Sequence, residues 1–282
     1  MITFGRMFKP VLVAILAGQV VPFLEGGLRV AFTITKTLDK TPDVATCSFY
    51  NLAPERRIAA QTTFSELGRA RLSIRAGYDG IAIDLFAGDI RRMQSTRRVG
   101  PDVITEVRAD DGGDALADVN AQLYGADVKV RQMVDVALAF FAANGHPITK
   151  HPSVDIVIGA ASPLITEKGW STAHNGKATD LLDQAARLCE ARWFVRGGFL
   201  HFAARNLPLD GPAVIVERTH WLSELDEDGS GLARLSVLMD PNIEPGRPVV
   251  VQGMPFRVEA ATYAGDTESG PWSVAMAMRR VV

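Results

Sequence analysis

Glycine and lysine stand side by side in His174-Asn-Gly-Lys-Ala178, the order in which a phosphate-binding loop enters its helix. Such a loop also needs a glycine five residues before its Gly-Lys pair, and a serine or threonine after the lysine to hold Mg²⁺. Those two positions are occupied by Ser171 and Ala178. The sequence therefore excludes a phosphate-binding loop at this place.

A second candidate is Glu224-Leu-Asp-Glu-Asp-Gly229, which spaces its carboxylates and glycine as the start of a calcium-binding loop does. The twelfth position of such a loop must be a glutamate that binds the ion through both oxygens. That position is Leu235. We interpret the segment as a solvated hairpin loop.

Zinc sites and nucleophilic active sites need particular residue types at particular spacings. None of the histidines has a cysteine or second histidine at the spacing of a zinc site; they are His146, His151, His174, His201 and His220. No Gly-x-Ser-x-Gly motif occurs, and neither cysteine has a recognisable nucleophile context. We predict no enzyme activity, no catalytic residue, no metal and no cofactor. A hydrolase that acts on a cell-wall or surface polymer through its carboxylates stays open as the alternative.

Length and composition indicate an ordinary globular protein of two or three domains. The chain has 282 residues, of which 47% are hydrophobic and 22% charged, and its net charge is −2. This balance excludes a global attraction to nucleic acid or to anionic lipid. Cys47 and Cys189 each lie in an apolar pattern, so we predict two buried free thiols and a reducing compartment.

Only the first residues resemble a targeting signal. Arg6 and Lys9 precede the apolar run Val11–Ala17, but no clean cleavage site follows. We interpret the run as a first strand. A membrane-spanning helix needs about 20 apolar residues, and no run in the chain approaches that length, so we predict no stable membrane insertion.

Basic residues are concentrated in one region. Arg69, Arg71 and Arg75 alternate on one face of a predicted strand, and Arg91 and Arg92 lie in a predicted turn-rich loop, residues 91–100. Aromatic residues that would stack on bases are absent among them, so we predict no specific nucleic-acid binding. The arginines are candidates for subunit-interface or channel contacts.

The stretch 44–90 organises the first predicted domain, residues 1–112. It reads as strand, helix, strand, short hairpin turn at Tyr78-Asp79-Gly80, and strand. Another strand with clean alternation, 28–35, precedes it, and 102–108 follows it. Six or so strands and one helix are enough for a small antiparallel β-barrel.

The predicted middle domain, residues 113–208, is α/β. It contains helices at Val128–Ala143 and Lys177–Glu190, a short strand at Val154–Ile158 and a hairpin around Arg196-Gly-Gly198. The last predicted domain, residues 209–282, returns to β. Its predicted strands are Val214–Glu217, Leu232–Leu238, Val249–Gln252, Phe256–Tyr263 and Trp272–Met278.

Several segments, taken in order, resemble phage tail hub (baseplate hub) proteins. The resemblance is carried by Leu28–Lys36, by Ala45–Leu52 with its Phe-Tyr-Asn-Leu ending, by Leu72–Tyr78, Phe86–Ile90 and Asp110–Gly113, by Gly169-Trp170 and Gly176-Lys-Ala178, and by Leu238–Gly246, Phe256–Val258, Gly265–Thr267 and Trp272. It covers nearly the whole chain. This sequence departs from the family at Tyr263, where histidine is frequent, and in Glu224–Gly231, which is unusually acidic.

The resemblance implies an α+β, mainly β fold: two tail-tube-like antiparallel β-barrel domains flanking a small α/β domain. It also implies a homotrimer whose six barrels form a ring with pseudo-sixfold symmetry around a central channel. Such a ring adapts a hexameric tail tube to a threefold spike or fibre complex. The implied partners are tail tube or distal tail proteins, the tape-measure protein, and spike or fibre proteins.

The resemblance further implies assembly in the host cytoplasm and residence in the tail tip or baseplate of the virion. No peptidoglycan-cutting domain is expected beside the hub. The hub of a type VI secretion spike, or of another contractile injection apparatus, shares the architecture and remains an open alternative.

Overall fold

The computed structural model describes residues 10–16, 19–21, 29–67, 71–78, 81–99, 102–112, 116, 118–204, 207–209, 211–268 and 270–281. Strands contain 51% of the residues and helices 22%, and the sheets are largely antiparallel. The α+β, mainly β fold class is therefore confirmed. The predicted turn at Asp79-Gly80 and the position of Arg69 lie outside the described residues.

Among the described residues, the N-terminal strand group contains seven strands and one helix. The strands are β1 Pro10–Leu16, β2 Gln19–Val21, β3 Val30–Thr37, β4 Val44–Tyr50, β5 Arg71–Tyr78, β6 Ile81–Val99 and β7 Asp102–Asp110, and helix α1, Pro54–Leu67, connects β4 to β5. Alternate residues of β3, β4 and β5 are buried, as the sequence pattern predicts. They include Ile34, Cys47, Phe49 and Ile74.

In the part of the chain that the structure describes, the C-terminal strand group contains six strands and a 3-10 helix at Arg218–His220. The strands are β13 Val214–Val216, β14 Asp226–Glu227, β15 Leu232–Leu238, β16 Pro248–Val251, β17 Met254–Asp266 and β18 Trp272–Arg280. The observed bounds of β15 are those predicted from the alternation of its residues. The predicted hairpin at Glu224–Gly229 is also present, because β14 pairs with β15.

The two strand groups form one sheet with one core. Strand β3 pairs antiparallel with the second half of β17, so that Ile34 lies opposite Tyr263. Buried residues of both groups, Phe49 and Phe256 among them, belong to the same hydrophobic cluster. Among the described residues the strand order runs from β14 at one edge to β2 at the other, and this path does not close into a barrel.

The two strand groups also share one strand order. The N-terminal group runs β3-β4-β7-β6-β5, and the C-terminal group runs β14-β15-β18-β17 with β16 paired to β17. In each group the long central strand forms hairpins with the strands before and after it in sequence. Each central strand also carries a bulge at the same place, Arg91 in β6 and Glu259 in β17. The chain therefore contains a structural repeat.

The middle of the chain forms a separate core of helices and two small sheets. Strands β8 Asn120–Val128 and β10 Trp170–Lys177 form one sheet, and β9 Thr149–Lys150, β11 Ala191–Arg196 and β12 Phe199–Ala204 form the other. The helices are α2 Val130–Ala143, α3 Pro152–Ala160, α4 Pro163–Thr166 and α5 Ala178–Leu188. Helices α2 and α5 and the β11–β12 hairpin confirm the predictions for those segments.

The predicted strand at Val154–Ile158 is wrong, because these residues lie in helix α3. Pro152 occupies the first turn of the helix, where its missing N–H costs nothing, and the His151 ring accepts a hydrogen bond from the Ser153 N–H. Val154 and Ile158 are four residues apart, so both face the core on the same side of the helix.

The predicted loop at 91–100 is also wrong over its described part, because β6 continues to Val99. Residues 89–99 pair with β7 through two register shifts, one after Ile90 and one after Ser95. The run is rich in arginine and polar residues, whose local preference for a strand is weak. Pairing with a neighbouring strand overrides that preference.

Arg196, the last residue of β11, anchors the middle of the chain to the large sheet. Its guanidinium donates to the Asp43 carboxylate at 2.9 Å and to the carbonyl oxygens of Thr37 and Pro245, both at 3.3 Å. The Arg196 and Asp43 side chains are only 17% and 4% exposed. A small apolar contact of Leu38 with Phe194 lies beside them.

Asp111 lies next to this ion pair and accepts a hydrogen bond from the Gly197 N–H at 3.1 Å. Burial of its carboxyl group, together with the nearby negative charge of Asp43, raises the pKa of Asp111 from 3.8 to about 7. Hydrogen bonding by Gly197 and the positive charges of Arg196 and Lys36 only partly oppose this rise. The folded protein therefore holds a proton here that the unfolded chain would release above pH 4.

We predict that Arg196→Met lowers the free energy of unfolding by about 3–5 kcal/mol, because it leaves the buried Asp43 carboxylate without its cation. Chemical denaturation followed by circular dichroism measures this change. Lys40→Met is the matched control, since it breaks a pair in which Lys40 is 59% exposed, and should cost less than about 1 kcal/mol. Equal losses in the two variants would show that Arg196 is not an anchor.

We predict that Asp111→Asn stabilises the protein more at pH 8 than at pH 5. The folded-state pKa lies above the unfolded value, so the stability linked to Asp111 is present below pH 4 and is lost as the pH rises through about 7. Asparagine stays neutral and can still accept the Gly197 hydrogen bond, so we expect a gain of about 1–3 kcal/mol at pH 8. A gain that does not change with pH would contradict the raised pKa of Asp111.

Candidate functional site

The described part of the chain holds no cluster of three or more histidine, cysteine or acidic residues that could bind a metal ion. A cavity of about 480 Å³ beside α3 is lined mainly by apolar side chains, and Glu190 is its one acidic lining residue. A hydrolase of the kind left open by the sequence needs two carboxylates that face one substrate. This cavity does not supply them.

A second cavity, about 470 Å³, lies between the N-terminal strand group and the middle of the chain. It brings together two predicted contact residues, Arg71 and Arg91, with the carboxylates of Asp89 and Asp111. Both carboxylates have partners: Asp89 lies 3.8 Å from Arg71, and Asp111 accepts the Gly197 N–H. The cleft is polar, and each of these carboxylates makes a structural contact with a group of the protein itself.

Two other predicted arginines, Arg75 and Arg92, do not line this cleft. Arg75 pairs with Asp84 at 2.9 Å and donates to the Ala82 carbonyl oxygen, so it supports the β5–β6 hairpin. Arg92 is exposed and donates to the Gln94 side chain. Arg91 binds the Asp110 carboxylate with two hydrogen bonds, at 2.8 and 3.0 Å. The described arginines are therefore spread along strands β5 and β6.

Among the described side chains, His151 and His201 lie close together, and their contact is a packing arrangement. The His201 ring stacks between Phe194 and His151, with centroid distances of 4.9 and 4.0 Å. Burial, and then the proximity of His151, lower the pKa of His201 to about 3. The His201 ring is therefore neutral at physiological pH and fills space between β11, β12 and α3.

Two strand edges of the large sheet carry opposite charges. Strand β14 ends the sheet, and its two residues, Asp226 and Glu227, are both exposed beside Glu224 and Asp228. Among the described residues, β5 pairs with β6 no further than Asp89, so the second half of β6 pairs with β7 alone. That half contains Arg92, Arg97 and Arg98. Sequence reasoning detected both charge concentrations but did not recognise that each lies on a strand edge.

The structure describes no helix that is long and apolar enough to cross a membrane. The two cysteines are free and buried in different cores, Cys47 in the large sheet and Cys189 after α5. Burial raises the pKa of both thiols, that of Cys189 to about 11. Neither thiol is therefore poised to act as a nucleophile.

No family model and no curated protein matches this sequence. The fold, however, matches solved structures along almost the whole chain. The 43 kDa tail protein of prophage MuSo2 from Shewanella oneidensis superposes with a TM-score of 0.63 at 10% identity, over 96% of this chain and 98% of that chain. A tail protein from Neisseria meningitidis gives 0.59 at 11% identity, over 96% and 97%.

A component of the type VI secretion system of Escherichia coli, which is structurally similar to bacteriophage T4 tail proteins, also matches. Its TM-score is 0.56 at 12% identity, over 97% of this chain and 77% of that chain. Identities this low establish the fold and no more. The chain has the fold that these phage tail and type VI secretion proteins share.

Proposed function

We propose that this protein is a structural hub of a phage tail tip or baseplate. Three copies form a ring around the central channel, and each copy contributes two tube-like β units. The ring presents six similar β units to a hexameric tail tube on one side and a threefold surface to a spike or fibre complex on the other. The protein works by geometry, without catalysis.

The observation that carries this proposal is the structural repeat. One chain holds two strand groups with the same strand order, bulged at the same position and joined through β3 and β17. A chain with two equivalent units can present six of them with only three copies, and cyclic symmetry then closes the ring. The shared fold of the prophage tail proteins supports the same role.

The implied partners follow from this placement: tail tube or distal tail proteins, the tape-measure protein that occupies the channel, and spike or fibre proteins. The ring assembles in the host cytoplasm and is carried in the virion. The division into units at 1–112, 113–208 and 209–282 is part of the proposal. So is contact of Arg69, Arg71, Arg75, Arg91 and Arg92 with a neighbour or with the channel.

The second candidate is the hub of a type VI secretion spike, favoured by the match to the Escherichia coli component. In this role, too, three copies would form the same ring. What differs is the partner on the tube side. Binding of the purified ring to a phage tail tube protein, compared with a type VI tube protein, would separate the two candidates.

We predict that the purified protein has the mass of three 30.5 kDa chains, alone or when a tube or spike partner is added. Light scattering coupled to size-exclusion chromatography measures this mass across a concentration series. A monomer under all of these conditions would contradict the proposal. Release of soluble fragments from peptidoglycan by that monomer would support the hydrolase alternative.

A further inference from the structure

We propose that β14 of one copy pairs with the open edge of β6 in the next copy, with Glu227 opposite Ser95. This inference rests on the proposed trimer and names the contact that builds it. Each copy then offers one acidic edge strand and receives another. Three such joints close the ring.

The joint between β3 and β17 within one chain is the template. In that joint the edge strand of one unit, β3, pairs with residues 260–266 of β17, beyond the point where β16 ends. In the C-terminal group, the edge strand that corresponds to β3 is β14. In the N-terminal group, the part of β6 that corresponds to residues 260–266 begins after Asp89, the last described partner of β5. Within one chain, no described strand pairs with these two edges.

The register follows from matching the two units residue by residue. Ile34 lies opposite Ala45 in β4, and Glu227 lies opposite Ala233 in β15. Ala45 pairs with Ala109 in β7, and Ala109 pairs with Ile90, the residue just before the bulge in β6. Ala233 pairs with Met278 in β18, and Met278 pairs with Val258, the residue just before the bulge in β17. Ala45 and Ala233 therefore occupy equivalent positions in the two groups.

Tyr263 follows Val258 by five residues, and Ser95 follows Ile90 by five. In the template, Ile34 pairs with Tyr263. Since Glu227 is the equivalent of Ile34 and Ser95 that of Tyr263, Glu227 should pair with Ser95.

The backbone of β14 is oriented for this pairing. Asp228 donates its N–H to the Leu232 carbonyl oxygen, and N–H groups in an antiparallel strand point to alternate sides. The backbone groups of Glu227 and Leu225 therefore point away from β15, towards the open edge. Glu227 and Leu225 correspond to Ile34 and Phe32 in β3. The Leu38 N–H donates to the Glu259 carbonyl oxygen of β17, and alternate residues point to the same side, so the backbone groups of Ile34 and Phe32 also point to β17.

The backbone of β6 is oriented to receive it. The Val103 N–H donates to the Asn51 side-chain oxygen, and the Val103 carbonyl oxygen accepts from the Asn51 N–H, so both groups point towards β4. The backbone groups of Thr105, two residues later, point to the same side. Ser95 lies opposite Thr105. Its backbone groups therefore point away from β7, to the side that no described strand covers.

The opposite charges of the two edges favour pairing of β14 from one copy with β6 from a second copy. The segment 224–228 carries four acidic residues, Glu224, Asp226, Glu227 and Asp228, while the receiving edge carries Arg92, Arg97 and Arg98. Two acidic strands would repel each other, and so would two basic ones, so the charges disfavour a symmetric twofold joint. Heterologous joints of this kind generate rings when the rotation between copies closes.

Disulfide cross-linking tests the register directly. Residues opposite each other in a hydrogen-bonded antiparallel pair have Cα atoms about 5.5 Å apart, which a disulfide spans. We expect the double variant Glu227→Cys/Ser95→Cys to give dimer and trimer bands after mild oxidation, on a denaturing gel without reductant. Both natural cysteines are buried, so they should not contribute.

Glu227→Cys/Asp118→Cys is the matched control, because Asp118 is exposed in the middle of the chain, and it should stay monomeric on the gel. Light scattering on unmodified protein is run in parallel. A trimer by scattering that gives no Glu227–Ser95 ladder would overturn this joint and leave the hub intact. Absence of any trimer, with or without partners, would overturn the proposed function. A ladder that stops at dimer would indicate a twofold contact and also overturn the joint.

A charge exchange supplies an independent test. Asp226→Lys/Glu227→Lys should shift the midpoint concentration for trimer assembly upwards by at least tenfold, the factor that corresponds to about 1.4 kcal/mol. Adding Arg97→Glu/Arg98→Glu should restore assembly, whereas Asp118→Lys alone should leave it unchanged. Assembly that tolerates the reversed charges without the compensating pair would contradict the role of this edge.

Discussion

The pairing of β3 with β17 is the interaction on which the rest of the large sheet depends. It joins strands more than two hundred residues apart in sequence and turns two strand groups into one sheet with a shared core. One end of the joint is held by polar contacts: Arg29 binds Asp266 at 2.8 Å, and the Thr267 side chain accepts the Val30 N–H. Without this joint, each group would expose a long strand edge, a recognised route to aggregation.

The same joint determines where the middle of the chain can lie. Asp43 and Thr37 flank the turn between β3 and β4, and Arg196 reaches both from the β11–β12 hairpin. From the other side, Arg257 in β17 donates to the carbonyl oxygens of Ala204 and Leu207 as the chain leaves β12. The α/β part is therefore fixed to the sheet by buried arginines, and the two strand groups are held in one orientation. A ring component requires that rigidity.

Local patterns in the sequence were sufficient to predict elements whose stability is local or whose burial alternates. The alternation in β15 predicted its bounds, and the periodicity of α5 predicted that helix. The failures have physical causes. Polar residues 91–99 form a strand only because β7 pairs with them, and the apolar run Val154–Ile158 fits a strand or a helix until the Pro152 start signal is weighed. Strands β8 and β10 were missed because their exposed polar residues hide the alternation.

Of the two charged strand edges, only the clusters of charged residues could be predicted from the sequence. The acidic segment at 224–228 and the arginines at 91–98 are visible in the sequence, but their meaning depends on which strand edges stay open, and that follows from pairing between distant residues. Equivalence of the two strand groups was equally hidden, because the repeat is one of topology and the residues at matching positions differ, as Cys47 and Leu235 do.

A cryo-EM reconstruction of the assembled protein tests the central claim, that an internal repeat builds a ring of six similar units, most directly. We expect threefold symmetry, with six sheet-to-sheet joints that alternate between β3–β17 pairs within copies and β14–β6 pairs between copies. A ring whose copies touch through the α/β parts, with both strand edges exposed to solvent, would contradict it.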